Sequence, residues 1–281
     1  MKNLSSLVHK IKTVPTLPTI FSQLSDAMTN PRVSNDQITK IISSDQAASL
    51  KVLKVVNSAF YGFAGRIDTI SRAVMYLGLN EVRNLILALS VINLFKKNKA
   101  LLNFRPTEFW SHSIAVGIIT RLVGSSLSIK NLENYFVAGI LHDIGKLVFF
   151  EFAEDDYIKV LTIVEEKNCL IKDAEKEVFG FDHSAVGDML CEKWKIPNSI
   201  KNAIRSHHNG VSDISTGQLV AAVHIADITA RTLNLGYPGD NLVPKMNKKT
   251  YEGIKLDNNF FSKNYDLLIQ NFEETNKLLI S

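Results

Sequence analysis

The chain has 281 residues, of which 46% are hydrophobic, so it can bury the core of one large unit or of two associated units. Its formal net charge of +4 is small, and no stripe of Lys and Arg interleaved with aromatic residues occurs, which argues against a nucleic-acid partner. No apolar run reaches the roughly 18 to 20 residues of a membrane span, and the N-terminus lacks a signal peptide's apolar region. We therefore expect a cytoplasmic protein without a membrane contact, whose two cysteines, Cys169 and Cys191, are reduced core thiols.

The first third of the chain predicts a bundle of short helices with short connections. Apolar residues at helical spacing, together with the positions of proline, predict helices over residues 1–13, 19–29, 38–42, 47–57, 69–77 and 81–95. Ser34 and Asp45 precede two of these helices and have the side chains that N-caps favour. The basic cluster at residues 96–99 is interpreted as a solvated helix end, with a nucleic-acid contact as the weaker alternative.

Residues 57–65 form a loop rich in glycine and aromatic residues, and two interpretations of it remain open. Phe60, Tyr61 and Phe63 either plug the seam between the two parts of the chain or display a recognition surface for a ligand or partner. Exposed aromatic side chains on loops of rigid scaffolds are common at recognition sites.

The composition changes after residue 95, and a second series of helices follows. Helices are predicted over residues 107–123, 131–150, 155–167, 173–179, 183–194, 197–208 and 216–233, with a terminal helix after residue 257. No segment shows sustained β-type alternation, and no internal repeat is visible. We therefore predict an all-α fold in which an N-terminal bundle, residues 1–104, packs on a second helical unit, residues 105–281.

Residues 138–147 form an apolar run that is interrupted at one point by His142 and Asp143. A helix this apolar is expected to be buried. A buried His-Asp pair costs several kcal/mol unless a hydrogen-bond network or a metal ion compensates it. Neighbouring side chains on a helix point about 100° apart, so both can reach one ion only if it lies in the sector between them.

Further ligands for such an ion are present along the second unit, in segments that read as helical. The candidate metal ligands are His112, His142, Asp143, His183, His207, His208 and Asp227. Imidazole and carboxylate groups without a thiolate favour a hard to borderline divalent cation, so we expect one or two ions of Fe, Zn, Mn or Ni. Taken singly, each histidine could be a hydrogen-bonded core residue, and the combination is what indicates a metal site.

Two other residues lie on the same helix faces as candidate ligands. Glu108 precedes His112 by four residues and either supplies a further carboxylate or caps the helix and faces solvent. His224 precedes Asp227 by three residues and is interpreted as a hydrogen-bonding partner of a ligand rather than a ligand.

The order His, His-Asp, Asp resembles the signature of the HD superfamily of metal-dependent phosphohydrolases. The continuation DIGK at residues 143–146, with His183 and the pair His207-His208, is similar to the HD-GYP cyclic dinucleotide phosphodiesterases. The N-terminal motifs resemble the HDOD family, a signalling branch of the superfamily: VPTLP at 14–18, ISSD at 42–45, LKVVNSAF at 53–60 and ISRAVMYLG at 70–78. The resemblance covers roughly residues 14–230 and implies an HD-type helical domain for the second unit.

The resemblance to the HD-GYP enzymes ends after His208. Their acidic residue and Gly-Tyr-Pro motif should follow, but Asn209-Gly210 stands here, and the GYP at residues 236–238 lies beyond Asp227. We interpret that tripeptide as an ordinary loop. The HD-GYP resemblance implies that Lys146 pairs with a substrate phosphate, whereas a surface lysine is the alternative.

The resemblance to HDOD proteins implies a cytoplasmic signal-transduction regulator. It would act through a signalling protein partner, with a nucleotide as a second candidate ligand, and would retain the metal site with weak or absent hydrolysis. The alternative function is a metal-dependent phosphohydrolase acting on a nucleotide or cyclic dinucleotide. In that case a divalent ion activates water, Asp143 takes part in catalysis and Lys146 neutralises phosphate charge.

Overall fold

The computed structural model describes residues 16–30, 32–58, 60–95, 100–211 and 213–280. The predicted helix over 1–13 and the basic cluster at 96–99 lie outside these residues. Within the described ranges the regular structure is helical, apart from one isolated bridge between Leu101 and Phe104. The prediction of an all-α fold is therefore confirmed. Both cysteines are free thiols, with Cys191 buried and Cys169 half-buried.

The helices of the first part are short. They are α1 (Thr19–Met28), α2 (Asn35–Ser43), α3 (Gln46–Val56), α4 (Ile70–Leu77) and α5 (Leu79–Leu94). Both expected N-caps are present, because the Ser34 hydroxyl accepts from Gln37 N and the Asp45 carboxylate accepts from Ala48 N. Gly78, at a φ of 91°, separates α4 from α5 in a conformation that favours glycine.

The helices of the second part build the functional region. They are α6 (Pro106–Ser126), α7 (Leu132–Leu141), α8 (Ile144–Phe152), α9 (Glu154–Lys167), α10 (Ile171–Phe179), α11 (His183–Lys193), α12 (Asn198–Ser206), α13 (Ile214–Thr232), α14 (Lys248–Ile254), α15 (Phe260–Lys263) and α16 (Tyr265–Ile280). Helix α6 packs against α7 and α13 at the centre of this part. Gly117 of α6 and Gly139 of α7 allow the two backbones to approach, because a Cβ on Gly139 would lie 2.6 Å from the Gly117 Cα.

The single helix predicted over residues 131–150 is instead two helices, α7 and α8, which are separated at His142 and Asp143. Asp143 has a φ of −102° and a ψ of 9°, which ends the helical ladder at the His-Asp pair. Just beyond the break, Gly145 lies against α11, where a Cβ would meet the His183 carbonyl oxygen at 2.0 Å. Because the helix breaks at this pair, His142 and Asp143 are not held about 100° apart as neighbours in one helix are, and both side chains can face one centre.

The aromatic loop lies at the seam between the N-terminal helices and α6 and α7. Phe60 is buried, and the Arg121 guanidinium lies 4.4 Å above its ring and donates to its carbonyl oxygen at 3.2 Å. The Tyr61 hydroxyl donates to Glu133 Oε2 at 2.9 Å, and Phe63 is half-buried and stacks on the Tyr61 ring. These contacts favour the seam interpretation for Phe60 and Tyr61.

In the part of the chain that the structure describes, no single helix is long and apolar enough to cross a membrane. Helices α4 and α5 meet that criterion only as a pair, which is bent by 115°.

Replacing Tyr61 with Phe should destabilise the seam, because the buried Glu133 carboxylate would lose a hydrogen bond from a hydroxyl. Hydrogen bonds to charged groups contribute about 1.5 to 3 kcal/mol, so we expect a loss of that size in the free energy of unfolding, measured by urea denaturation. The control is Tyr265→Phe on the exposed face of α16, which should change stability by no more than about 0.5 kcal/mol. Equal effects of the two substitutions would contradict the assigned role of Glu133.

Candidate metal centre

Seven side chains from five parts of the fold converge at one buried centre. They are His112 on α6, His142 and Asp143 at the α7–α8 break, His183 at the start of α11, His207 and His208 after α12, and Asp227 on α13. Six of them are at most 3% exposed, and His208 is half-buried, so solvent reaches the set from its side. The predicted convergence is thus present in the structure, while the role of these residues as metal ligands stays a prediction.

Asp143 lies between the two halves of the centre. Its Oδ1 atom is 2.9 Å from His183 Nε2 and 3.4 Å from His207 Nε2. Its Oδ2 atom is 3.3 Å from His142 Nε2 and also pairs with the Lys146 ammonium. Because Oδ1 is buried and has no hydrogen-bond partner, it remains available to a cation.

Asp227 organises the other half of the centre. Its Oδ1 atom is 3.1 Å from His112 Nε2 and 3.8 Å from His142 Nε2. Arg231, one turn later on α13, donates from Nε to the same oxygen at 2.9 Å and from Nη1 to Asp240 at 2.9 Å. The Asp227 carboxylate is therefore held in place by a buried arginine that is itself anchored.

Hydrogen bonds to the far side of the rings set the tautomers of two histidines. Nδ1 of His142 lies 2.7 Å from Gly139 O, and Nδ1 of His207 lies 2.7 Å from Ile204 O. A carbonyl oxygen can only accept, so each Nδ1 carries a proton, and in the neutral form of each ring the lone pair of Nε2 faces the centre. Nε2 of both rings is buried without a hydrogen-bond partner.

The ligand atoms of these seven side chains are arranged so that they can bind a divalent cation. Three groups of ligand atoms each lie within 4.8 Å of one another: His112 with His142 and Asp227, His142 with Asp143 and His207, and His183 with His207 and His208. Neutral imidazole nitrogens and carboxylate oxygens of this kind bind Zn, Fe, Mn or Ni. The outer two groups share no residue, and Asp143 lies between them, so the set has room for one or two ions.

Two of the histidines and both central aspartates are in the protonation state that metal binding needs at neutral pH. Burial lowers the pKa of His112 and of His207 to about 4, which keeps both rings neutral. Burial alone would raise the pKa of Asp143, but the neighbouring His142 and Lys146 outweigh it and hold that pKa well below the usual range. Burial alone would also raise the pKa of Asp227, but the neighbouring Arg231 guanidinium outweighs it and holds that pKa well below the usual range.

The buried charges around the centre do not cancel. Four buried carboxylates (Asp143, Glu175, Asp227 and Asp240) accompany two buried cationic side chains (Lys146 and Arg231). Counted without the histidines, these side chains carry two excess negative charges, which one divalent ion would balance. Burial alone would lower the pKa of His183, but Glu175 and Asp143 outweigh it and raise that pKa to about 9, so an ion bound at this ring would displace a proton.

The remaining predicted residues occupy different positions. Lys146 is fully buried, pairs with Asp143 and donates to Pro238 O at 3.0 Å, so the alternative of a surface lysine is wrong. The Glu108 side chain is exposed and belongs to none of the three ligand groups, as the solvent-facing alternative predicted. His224 donates from Nδ1 to His207 O at 2.7 Å and accepts from Asn247 N at Nε2, which fits a supporting role.

The segment at residues 236–238, interpreted above as an ordinary loop, is instead a wall of the site. Gly236 has a φ of 74° and lies so close to α6 that a Cβ would be 2.1 Å from His112 N. Tyr237 N donates to Glu108 O at 3.0 Å, and Pro238 O accepts from Lys146. The tripeptide therefore closes the centre from the side of α6 and α8.

Three charged residues of the centre are not among the predicted ones: Glu175, Arg231 and Asp240. Glu175 occupies the apolar stripe that Ile171 and Ala174 begin on α10, and a lone carboxylate in such a stripe signals a buried partner. The spacing of Arg231, four residues after Asp227, is a signal for an ion pair. Asp240 follows a loop, and no local pattern distinguishes it.

The fold and this His/Asp arrangement define a helical protein of the HD type. The model of the HDOD domain family matches residues 14–210, more than half of the chain, so the chain belongs to the HDOD family.

Solved structures agree with this assignment. An HDOD domain protein of unknown function from Geobacter sulfurreducens is 25% identical, with a TM-score of 0.81 over 99% of this chain and 100% of that chain. A candidate phosphohydrolase from Shewanella amazonensis is 23% identical, with a TM-score of 0.75 over 97% of each chain, and this similarity supports the fold.

Among curated proteins, an uncharacterised protein of Treponema pallidum is 26% identical over 232 residues, which are 82% of this chain and 44% of that protein. The chain thus spans less than half the length of the curated relatives it matches.

Replacing Gly236 with Ala should weaken the wall of the centre. A side chain at positive φ costs about 1 to 2 kcal/mol, and the contact with His112 N adds to this cost. We expect a lower melting temperature by calorimetry. The control is Gly65→Ala, where a Cβ meets nothing within 4 Å and φ is not positive. Equal melting temperatures for the two variants would contradict the close approach of Gly236 to His112.

Proposed function

We propose that the chain is a signal-transduction regulator of the HDOD type that retains a divalent-metal centre and has weak or absent hydrolytic activity. The observation that carries this proposal is the position of Lys146. Its ammonium is completely buried and is satisfied by Asp143 and by Pro238 O, so it is not offered to a phosphate.

The enclosure of the centre supports the same proposal. A phosphodiesterase must position its substrate as well as activate water, and this needs a cleft beside the ligands. Here the segment at 236–238 covers one side, and the other ligands except His208 are at most 3% exposed. A metal ion in such a position would supply stability and a fixed arrangement of helices α6, α7, α11 and α13.

The regulatory proposal includes a protein partner, a cytoplasmic location and a nucleotide as a second candidate ligand. The N-terminal bundle is the proposed partner surface, because Met75 and Tyr76 on α4 are 67% and 53% exposed. Tyr76 continues a line of aromatic rings from the seam, through Phe63 at 5.5 Å. The greater length of the curated relatives is compatible with further segments acting together with this module.

A metal-dependent phosphohydrolase is the second candidate, and the complete ligand set favours it. Unpartnered Nε2 atoms on His142 and His207 and the unpartnered Oδ1 of Asp143 face one centre. A bound divalent ion would supply Lewis-acid activation there. For substrate to enter, the contact between Lys146 and Pro238 would have to open and release the lysine towards a phosphate.

Metal binding should stabilise the protein. With Mn²⁺ at 100 times its Kd, the free energy of unfolding rises by about 2.7 kcal/mol, and a chelator reverses the change. The increase, measured as a shift in melting temperature, should disappear in His142→Ala and persist in Asp266→Asn, which alters an exposed carboxylate on α16. The metal-centre proposal fails if Mn²⁺, Fe²⁺, Zn²⁺ and Ni²⁺ all leave the melting temperature of the parent protein unchanged.

Turnover distinguishes the two candidate functions. Metal-reconstituted protein is assayed against cyclic dinucleotides and generic phosphodiesters, beside His142→Ala, Asp143→Ala and the Asp266→Asn control. We expect rates in the parent that do not exceed those of the His142→Ala and Asp143→Ala variants. Robust turnover in the parent and the control, abolished by both centre substitutions, would overturn the regulatory proposal in favour of the phosphohydrolase.

A further inference from the structure

Glu175 is a completely buried carboxylate that contacts His183 twice. A single oxygen, Oε2, accepts from the backbone N–H of His183 at 2.8 Å and lies 2.5 Å from its ring Nδ1. The turn between α10 and α11 brings the carboxylate back to the start of α11, and Gly180, at a φ of 86°, permits this turn. Asp182 caps the next N–H groups of α11, so the position of His183 is set from both sides.

This hydrogen bond determines which atom His183 offers to the centre. With the Nδ1 proton directed to Glu175, Nε2 points inward, where it lies 2.9 Å from Asp143 Oδ1 and 2.9 Å from His208 Nε2. A carboxylate on the far nitrogen also makes an imidazole a more basic ligand.

The environment of His183 differs from that of the other oriented histidines. At His142 and His207 the partner of Nδ1 is a neutral backbone carbonyl, whereas at His183 it is a carboxylate. Glu175 therefore acts on one half of the centre, the group formed by His183, His207 and His208. The group formed by His112, His142 and Asp227 relies on Arg231 and Asp240 instead.

We propose that Glu175 is a positioning residue that selectively supports a divalent ion on the His183, His207 and His208 side of the centre. The proposal rests on the proposed function in one respect, namely that the centre binds a divalent ion. It adds that the two halves of the centre differ. The half that binds the ion more tightly is the one supported by Glu175, which is not itself a ligand.

The test compares Glu175→Gln with Glu177→Gln. Gln keeps the shape of Glu175 and can still accept a hydrogen bond, so the substitution removes the charge with little change in packing. Glu177 lies on the same helix but is exposed and pairs with Lys167 at the surface, which makes it a matched control. Circular dichroism melts of the metal-free proteins establish that each variant folds.

Two readouts are needed, and neither depends on catalysis. Titration with Co²⁺, followed by its visible absorption, gives the number and affinity of bound ions. We expect the tightest class in Glu175→Gln to weaken by about 10- to 100-fold, the usual effect of removing a partner of a ligand histidine. In the metal-free protein, NMR of ¹⁵N-labelled histidine should show a far-downfield Nδ1–H resonance for His183 that moves in Glu175→Gln and not in Glu177→Gln.

Each outcome is decisive and separates the two proposals. If the parent protein binds Co²⁺ and Glu175→Gln binds it equally well, the role of Glu175 is overturned while the metal centre stands. If the parent protein binds no Co²⁺, the metal centre fails and the role of Glu175 fails with it. The proposal is supported if Co²⁺ binding weakens in Glu175→Gln but not in Glu177→Gln, and if the His183 resonance shifts in Glu175→Gln.

Discussion

The burial of Asp143 is the constraint on which the rest of the site depends. A carboxylate removed from water is costly unless several partners compensate it, and Asp143 has the Lys146 ammonium on one oxygen and imidazole nitrogens near both. These partners come from α8, α11, the end of α12 and the break after α7. The packing of these segments therefore depends on neutralising one buried charge, and Oδ1 still has no hydrogen-bond partner.

A second layer of charged residues supports this arrangement. Glu175 holds His183, Arg231 holds Asp227, and Asp240 holds Arg231 while also accepting from Ile171 N at 3.0 Å. Through Asp240 the segment that closes the centre is linked to the start of α10, the helix that carries Glu175. An ion bound at the centre would thus be coupled to the wall at residues 236–238 and to the helix pair α10 and α11. Under the proposed regulatory function, this linkage would be the route by which occupancy of the centre reaches the surrounding helices.

Apolar periodicity in the sequence predicted the helical class, and the residues before the helices predicted the N-caps Ser34 and Asp45. The order of the His and Asp residues along the chain predicted the seven residues that converge. The sequence did not predict the break at His142 and Asp143, since apolar residues at helical spacing lie on both sides of the pair, while the close approach of Gly145 to α11 just beyond the break is a contact between segments distant in the chain. Asp240 and the wall at 236–238 were missed for a related reason. Their partners lie on α6, α8 and α10, far away in the chain, and no helical or strand pattern encodes such contacts.

The central claim is that these side chains bind a divalent ion. Anomalous diffraction, recorded on both sides of the absorption edge of a metal with which the purified protein was loaded, tests it most directly. The account predicts an edge-specific peak about 2.0 to 2.3 Å from imidazole nitrogens of the centre, with Asp143 or Asp227 also in contact. Crystals of loaded protein in which the seven side chains converge as described, but without an anomalous peak among them, would contradict it.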